Sequence, residues 1–228
     1  MLRELLSIFR ASDPLSEMGT NFGRMLQLTY DMNIAAGQIF FGEEDHTVER
    51  QNIYGWDGQV NELERTIRRQ VITHLAIPGN EADLPYSLLL ISLVKDVERL
   101  GDYAKNLSEI VDIRPGPFPD GPELSSLVAI RERVERAFRS CADVFSHSRK
   151  DEALELIQQG RETARQCDHL ITEIGRGNHD AATTTALILG TRYYKRIGGH
   201  VLNVLSSVVV PLDEVDYYDE DGTSPSQR

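Results

Sequence analysis

The chain is poor in sulfur, short of basic charge and without any long apolar run. Its only two cysteines, Cys141 and Cys167, both fall on apolar helix positions. That excludes a disulfide scaffold or a cysteine-based zinc set and predicts buried, reduced thiols in a reducing compartment. Lys and Arg number 24 against 36 Asp and Glu, a formal net charge of −12. A nucleic-acid partner is therefore not expected, because phosphate-backbone binding runs on clustered basic side chains. No window reaches the roughly 20 apolar residues needed to span a bilayer, so no transmembrane segment is expected. The opening Met1–Arg10, MLRELLSIFR, carries Arg3 and Glu4 and lacks a cleavable apolar core, which argues against a signal peptide and for a cytoplasmic protein. Leu2, Leu5, Leu6 and Ile8 make this start amphipathic, suited to packing on the body of the protein or to docking on a membrane-associated partner.

Catalytic signatures are also scarce. There is no P-loop and no glycine-rich dinucleotide fingerprint after a strand. Ser92, Ser108 and the Ser/Thr residues around Thr183 have no recognisable His/Asp partner, so no nucleophilic triad can be assembled. The six histidines, His46, His74, His147, His169, His179 and His200, show no mutual metal-ligand spacing. His74 sits on an apolar seam, as a hydrogen-bonded core histidine would.

What the chain has is helical rhythm. Apolar residues recur at Leu15, Met18, Phe22, Met25, Thr29, Met32, Ala36 and Ile39 after a Ser12-Asp13-Pro14 start signal. A second stretch, Val60, Leu63, Ile67 and Val71, predicts a helix over roughly 44–76 that is weakened at Gly55 and Gly58 and stops near Pro78-Gly79-Asn80. A third begins around Pro85 and ends before Arg114-Pro115-Gly116-Pro117-Phe118-Pro119, a stretch whose prolines cannot continue a helix and which reads as the one linker or hinge. The rhythm then returns three times, at Leu127–Val144, Leu156–Ile174 and Tyr194–Val208. Arg99-Leu100-Gly101 and Asn106 recur as Arg196-Ile197-Gly198 and Asn203 at the same spacing, which argues for an internal duplication. Gly101 and Gly198 each cost a helix about 1 kcal/mol relative to Ala, a cost expected to be offset by close helix approach. The expected fold is all-α, a six-helix bundle of two repeated three-helix units. The expected divisions are residues 1–113, a Pro/Gly-rich linker over 114–122, a second unit over 123–210 and an acidic flexible tail over 211–228.

The most informative feature is a polar stripe on the third helix. Glu98, Asp102 and Asn106 stand at i, i+4 and i+8, nearly opposite Leu93, Val97, Leu100, Ala104 and Leu107, so their oxygens point away from the core. On the second helix Asp57 and Asn61 form another i, i+4 pair, with Glu64 on the same side. Clustered carboxylates repel one another and a cation reverses that repulsion. Oxygen donors suit Mg²⁺, Mn²⁺, Ca²⁺ or iron, and the shortage of Cys and paired His argues against zinc, which stays only among the ions to be tried. The alternative is a solvated acidic face balanced by Lys95, Arg99 and Lys105.

The run Lys95-Asp96-Val97-Glu98-Arg99-Leu100-Gly101-Asp102-Tyr103-Ala104-Lys105-Asn106 resembles the signature of the PhoU family of phosphate-signalling proteins. Asp57-x-x-Val60-Asn61-x-Leu63-Glu64 resembles the family's other motif. The resemblance covers most of the chain and implies two PhoU-like three-helix units in which Glu/Asp-x-x-x-Asp motifs on adjacent helices bind metal clusters. By that implication Glu98 and Asp102 form one motif of a metal site, and Asp57 with Asn61 its partner. Asn61 stands where a carboxylate is commoner, which removes one negative charge. The resemblance further implies a non-enzymatic regulator or accessory protein of phosphate transport, with a membrane phosphate transporter and a sensor kinase as partners; it leaves metal identity and homodimer formation open. A metal-dependent phosphoester hydrolase and a metal-free structural bundle are the alternatives.

The second half departs from this pattern. Lys195 and Gly199 match Glu98 and Asp102, while Ala164 and Asp168 match Asp57 and Asn61. An ammonium in place of a carboxylate predicts an asymmetric molecule with one metal-competent half, in which Lys195 neutralises Asp168.

Overall fold

The computed structural model describes residues 14–43, 46–212 and 215. The amphipathic start, the Ser12-Asp13 signal and nearly all of the acidic tail lie outside the described residues. Within them the chain forms six α-helices and no strand: α1 (Pro14–Phe41), α2 (His46–Leu75), α3 (Leu84–Glu109), α4 (Pro122–Ser146), α5 (Lys150–Arg176) and α6 (Ala181–Ser206). None of the described helices is long and apolar enough to cross a membrane.

The seams are those the apolar rhythm predicts. Leu15, Met18, Phe22, Met25, Thr29, Met32, Ala36 and Ile39 are all buried on one face of α1. The one polar member is satisfied within its helix, the Thr29 hydroxyl donating to the Met25 carbonyl at 3.0 Å. The expected weak point in α2 does not appear: the helix runs unbroken through Gly55 and Gly58. Ile53, Val60, Ile67 and Val71 are each at most 3% exposed. Burying four such side chains, at about 1.5–3 kcal/mol each, outweighs the roughly 1 kcal/mol cost of each glycine.

α1, α2 and α3 pack on one another, α4, α5 and α6 do the same, and the two groups meet chiefly through α3 against α6, with α1 against α4 beside them. α3 and α6 are each 26 residues long, in keeping with the duplication. α6 is started by Asp180, whose carboxylate accepts the Thr183 N–H at 2.9 Å, a standard N-cap. Those hydrogen bonds from Thr183 hold the Asp180 carboxyl below its ordinary value.

Arg114 anchors the proline-rich linker. Arg114 donates to the Gly116 and Pro117 carbonyls, each at 2.7 Å, and to the Thr183 hydroxyl at 2.9 Å, while its guanidinium lies 4.7 Å from the Phe118 ring centroid. Phe118 in turn packs on Phe40 at 5.0 Å.

The closest approaches in α1 and α6 occur at glycines other than those expected. A Cβ on Gly190 would meet the Phe40 ring, with Cε2 2.8 Å away, and one on Gly37 would lie 2.8 Å from the Tyr194 hydroxyl. At Gly198 it would find only Val134 Cγ2 at 3.5 Å, an ordinary contact, so close approach does not explain that residue. At Gly101 the nearest atom is the flexible end of Met32, at 3.3 Å.

Candidate functional site

α2 and α3 pack side by side, and that packing brings the two polar stripes together. The carboxylates are less exposed than a helical wheel suggests: the side chains of Asp57, Glu98 and Asp102 retain 18%, 15% and 30% of their surface. The neighbouring helix covers them.

The cation at the centre is Lys105. Its Nζ donates to Asp57 Oδ2 at 3.0 Å and to Asp102 Oδ1 at 3.4 Å, tying α2 to α3. Asn61 turns its amide N–H toward the same Asp57 oxygen at 3.4 Å. Burial by itself would lower the Lys105 pKa, but the hydrogen bond and charge of Asp57 and the charge of Asp102 outweigh it and hold the ammonium above its usual 10.5. A group raised in this way contributes stability that is complete below its ordinary pKa and fades only as pH climbs through the raised value. The ammonium is therefore fully charged at neutral pH.

The other carboxylates are paired in the same manner. Glu98 accepts from Lys95 at 2.9 Å, Asp102 from Arg99 at 3.3 Å, and Glu64 from Arg68 at 2.8 Å. Of the four residues singled out from the sequence, Asp57 and Asp102 thus converge on one ammonium, Asn61 donates to Asp57, and Glu98 faces a second ammonium. Among the described residues no group of three or more His, Cys, Asp or Glu side chains is gathered in a way that would hold a metal ion. As arranged, Lys105 stands where Asp57 and Asp102 would share a cation.

In the second unit Lys195 does what its position predicts: Nζ contacts both oxygens of Asp168 at 2.6 Å. His74 is the satisfied core residue expected, 6% exposed, with Nε2 2.8 Å from Asp83 and Nδ1 3.2 Å from Asn80.

A second polar cluster escaped sequence reasoning. Asp96 is 8% exposed and lies where α3 meets α6; its Oδ1 accepts from Asn203 at 2.6 Å and sits 2.8 Å from His200 Nδ1. His200 also stacks on Tyr103, ring centroids 5.6 Å apart. The signal was present: Asp96 lies between Leu93 and Val97 on the apolar side of α3, where a carboxylate needs a buried partner.

Comparison with known proteins follows this geometry. Residues 15–111, which contain both polar stripes, match the PhoU domain. A relative from Xylella fastidiosa, a phosphate-specific transport system accessory protein PhoU homologue, is 27% identical over 210 residues, covering 88% of this chain and 84% of its own. The crystal structure of the phosphate transport system regulatory protein PhoU from Streptococcus pneumoniae superposes with a TM-score of 0.74 at 16% identity, over 89% of this chain and 95% of that one. PhoU from Pseudomonas aeruginosa does so with a TM-score of 0.67 at 22% identity, over 86% and 92%.

Proposed function

Because the chain belongs to the PhoU family, we propose that it is a non-catalytic accessory regulator of inorganic phosphate transport, acting at the cytoplasmic side of a membrane phosphate transporter and, through it, on a sensor kinase. The observation that carries this reading is the joining of the two motif helices within the matched residues 15–111 into one half-buried acidic face, locked by Lys105. Such a face can dock basic partner segments. Charged groups set in a partly covered surface give register and partner choice more than raw affinity. In cells of its native host, uptake of labelled phosphate should change when the chain is deleted and be restored by wild type but not by Glu98→Arg/Asp102→Arg. Uptake that is indifferent to both changes would sink the proposal.

Metal loading of Asp57, Asn61, Glu98 and Asp102 is a separate proposal, and it requires that Lys105 leave. The same oxygens cannot serve an ammonium and a divalent ion together, and unscreened carboxylates favour the ion. Mn²⁺ titration followed by electron paramagnetic resonance should therefore show Lys105→Met binding roughly tenfold or more tightly than wild type, with Asp57→Asn/Asp102→Asn removing the gain. Equal affinity in wild type and Lys105→Met would show that the lysine does not guard the face.

A further inference from the structure

The chain is strongly acidic as a whole, yet its second unit contains a cavity of about 370 Å³ with no carboxylate among the described residues that line it. It lies between α4, α5 and α6, and its walls carry Arg133, Arg161, Arg192, Lys195 and Arg196, five of the 24 basic residues in the chain.

The cavity exists because side chains are missing where the first unit has polar ones. Gly199 and Ala164, the counterparts of Asp102 and Asp57, line it together with Gly160. Truncation at Ala164 and at Gly199, where nothing lies within 4 Å of an added Cβ, opens the space, and Lys195, the counterpart of Glu98, reverses its sign. The floor is apolar, formed by Val134, Leu156 and Leu202.

Its cations are only partly answered. Lys195 is held by the exposed Asp168 at 2.6 Å. Arg133 donates to the neutral amide of Gln166. Arg192 and Arg196 form no ion pair among the described residues and are exposed at the rim. Like charges crowded on a low-dielectric wall repel, and an entering anion turns that repulsion into attraction. Guanidinium groups offer forked donors that match phosphoryl oxygens, and a space of this size is that of a small-molecule site. A concave pocket with an apolar floor and a cationic rim suits a small anion with some non-polar body, whereas a membrane surface would need a flat patch.

We propose that this cavity binds a phosphate-bearing small molecule, its phosphoryl oxygens held by Arg133, Arg192 and Arg196 and any organic portion resting on the Val134, Leu156 and Leu202 floor. The inference goes beyond the transport reading and does not rest on it, since the acidic face of α2 and α3 takes no part.

Isothermal titration of the full chain with inorganic phosphate, ATP and adenosine tests it. Saturable binding of phosphate or ATP, with adenosine silent, is the expected result, and the tighter of the two identifies the source of the phosphoryl group. Arg192→Glu/Arg196→Glu should weaken that binding at least about tenfold; both residues are exposed, so helical content by circular dichroism should be unchanged. Ala164→Met, which fills the space without altering charge, should also weaken it. Absence of binding by both phosphate and ATP, or binding untouched by the charge-reversal variant, would overturn the proposal.

Discussion

Single atoms decide the fate of several positions here. Gly190 faces the Phe40 ring, which is itself clamped between Phe41 at 4.9 Å and Phe118 at 5.0 Å, so the ring has nowhere to retreat. Gly190→Ala should destabilise the protein by about 1–3 kcal/mol through overpacking. Gly198→Ala meets only ordinary contact and should be neutral or stabilising by up to about 1 kcal/mol, the helix-propensity gain. Urea denaturation of both variants checks the pair, and a reversed order would contradict this account of the two glycines. Glycine inside a helix is visible in any sequence; whether a neighbour presses on it is not. The neighbours belong to other helices, and the local rhythm carries no record of them.

At the scale of elements, the α3–α6 junction is held by an acid buried among apolar seams. Removing Asp96 leaves the Asn203 amide and the His200 ring without their acceptor at a half-buried interface. Asp96→Ala should therefore cost on the order of 1–3 kcal/mol. Because the two residues share one oxygen, Asp96→Ala and Asn203→Ala should be non-additive in a double-mutant cycle; strict additivity would mean the bond contributes nothing. The element boundaries themselves were legible. Periodicity, the Pro78-Gly79 stop and the proline run after Ile113 marked six helices because each signal acts within a few residues. What the proline run does not reveal is its anchoring, since Arg114 reaches forward to the Gly116 and Pro117 carbonyls and across to Thr183, a contact 69 residues away. The sequence places Lys105 beside the acidic stripe, but its span from α3 to Asp57 on α2 depends on how the helices pack.

For the molecule as a whole, the two cysteines report on cooperative integrity. Burial pushes the Cys141 thiol up to about 12, and burial, slightly opposed by Lys195, does the same for Cys167. Both are fully enclosed and stay protonated at neutral pH, so neither can act as a thiolate. Ellman's reagent should react with neither in the native protein and with both in denaturant, at rates that track the loss of helix. Fast reaction of either thiol under native conditions would show local opening of the second unit.

By itself the sequence determined the helical class, the order of six helices, the echo of the first half in the second and the residue types of the acidic motif. All of these follow from spacings shorter than a few turns or from direct internal similarity. Tertiary structure alone decided that the acidic stripes share an ammonium, that Asp96 belongs to a junction and not to a solvated face, and that five basic residues scattered between positions 133 and 196 surround one cavity. Those outcomes depend on which helix faces meet and on the space left where side chains are small. Charges far apart in the chain acquire a joint chemistry only when packing brings them within a few ångströms and excludes water from between them.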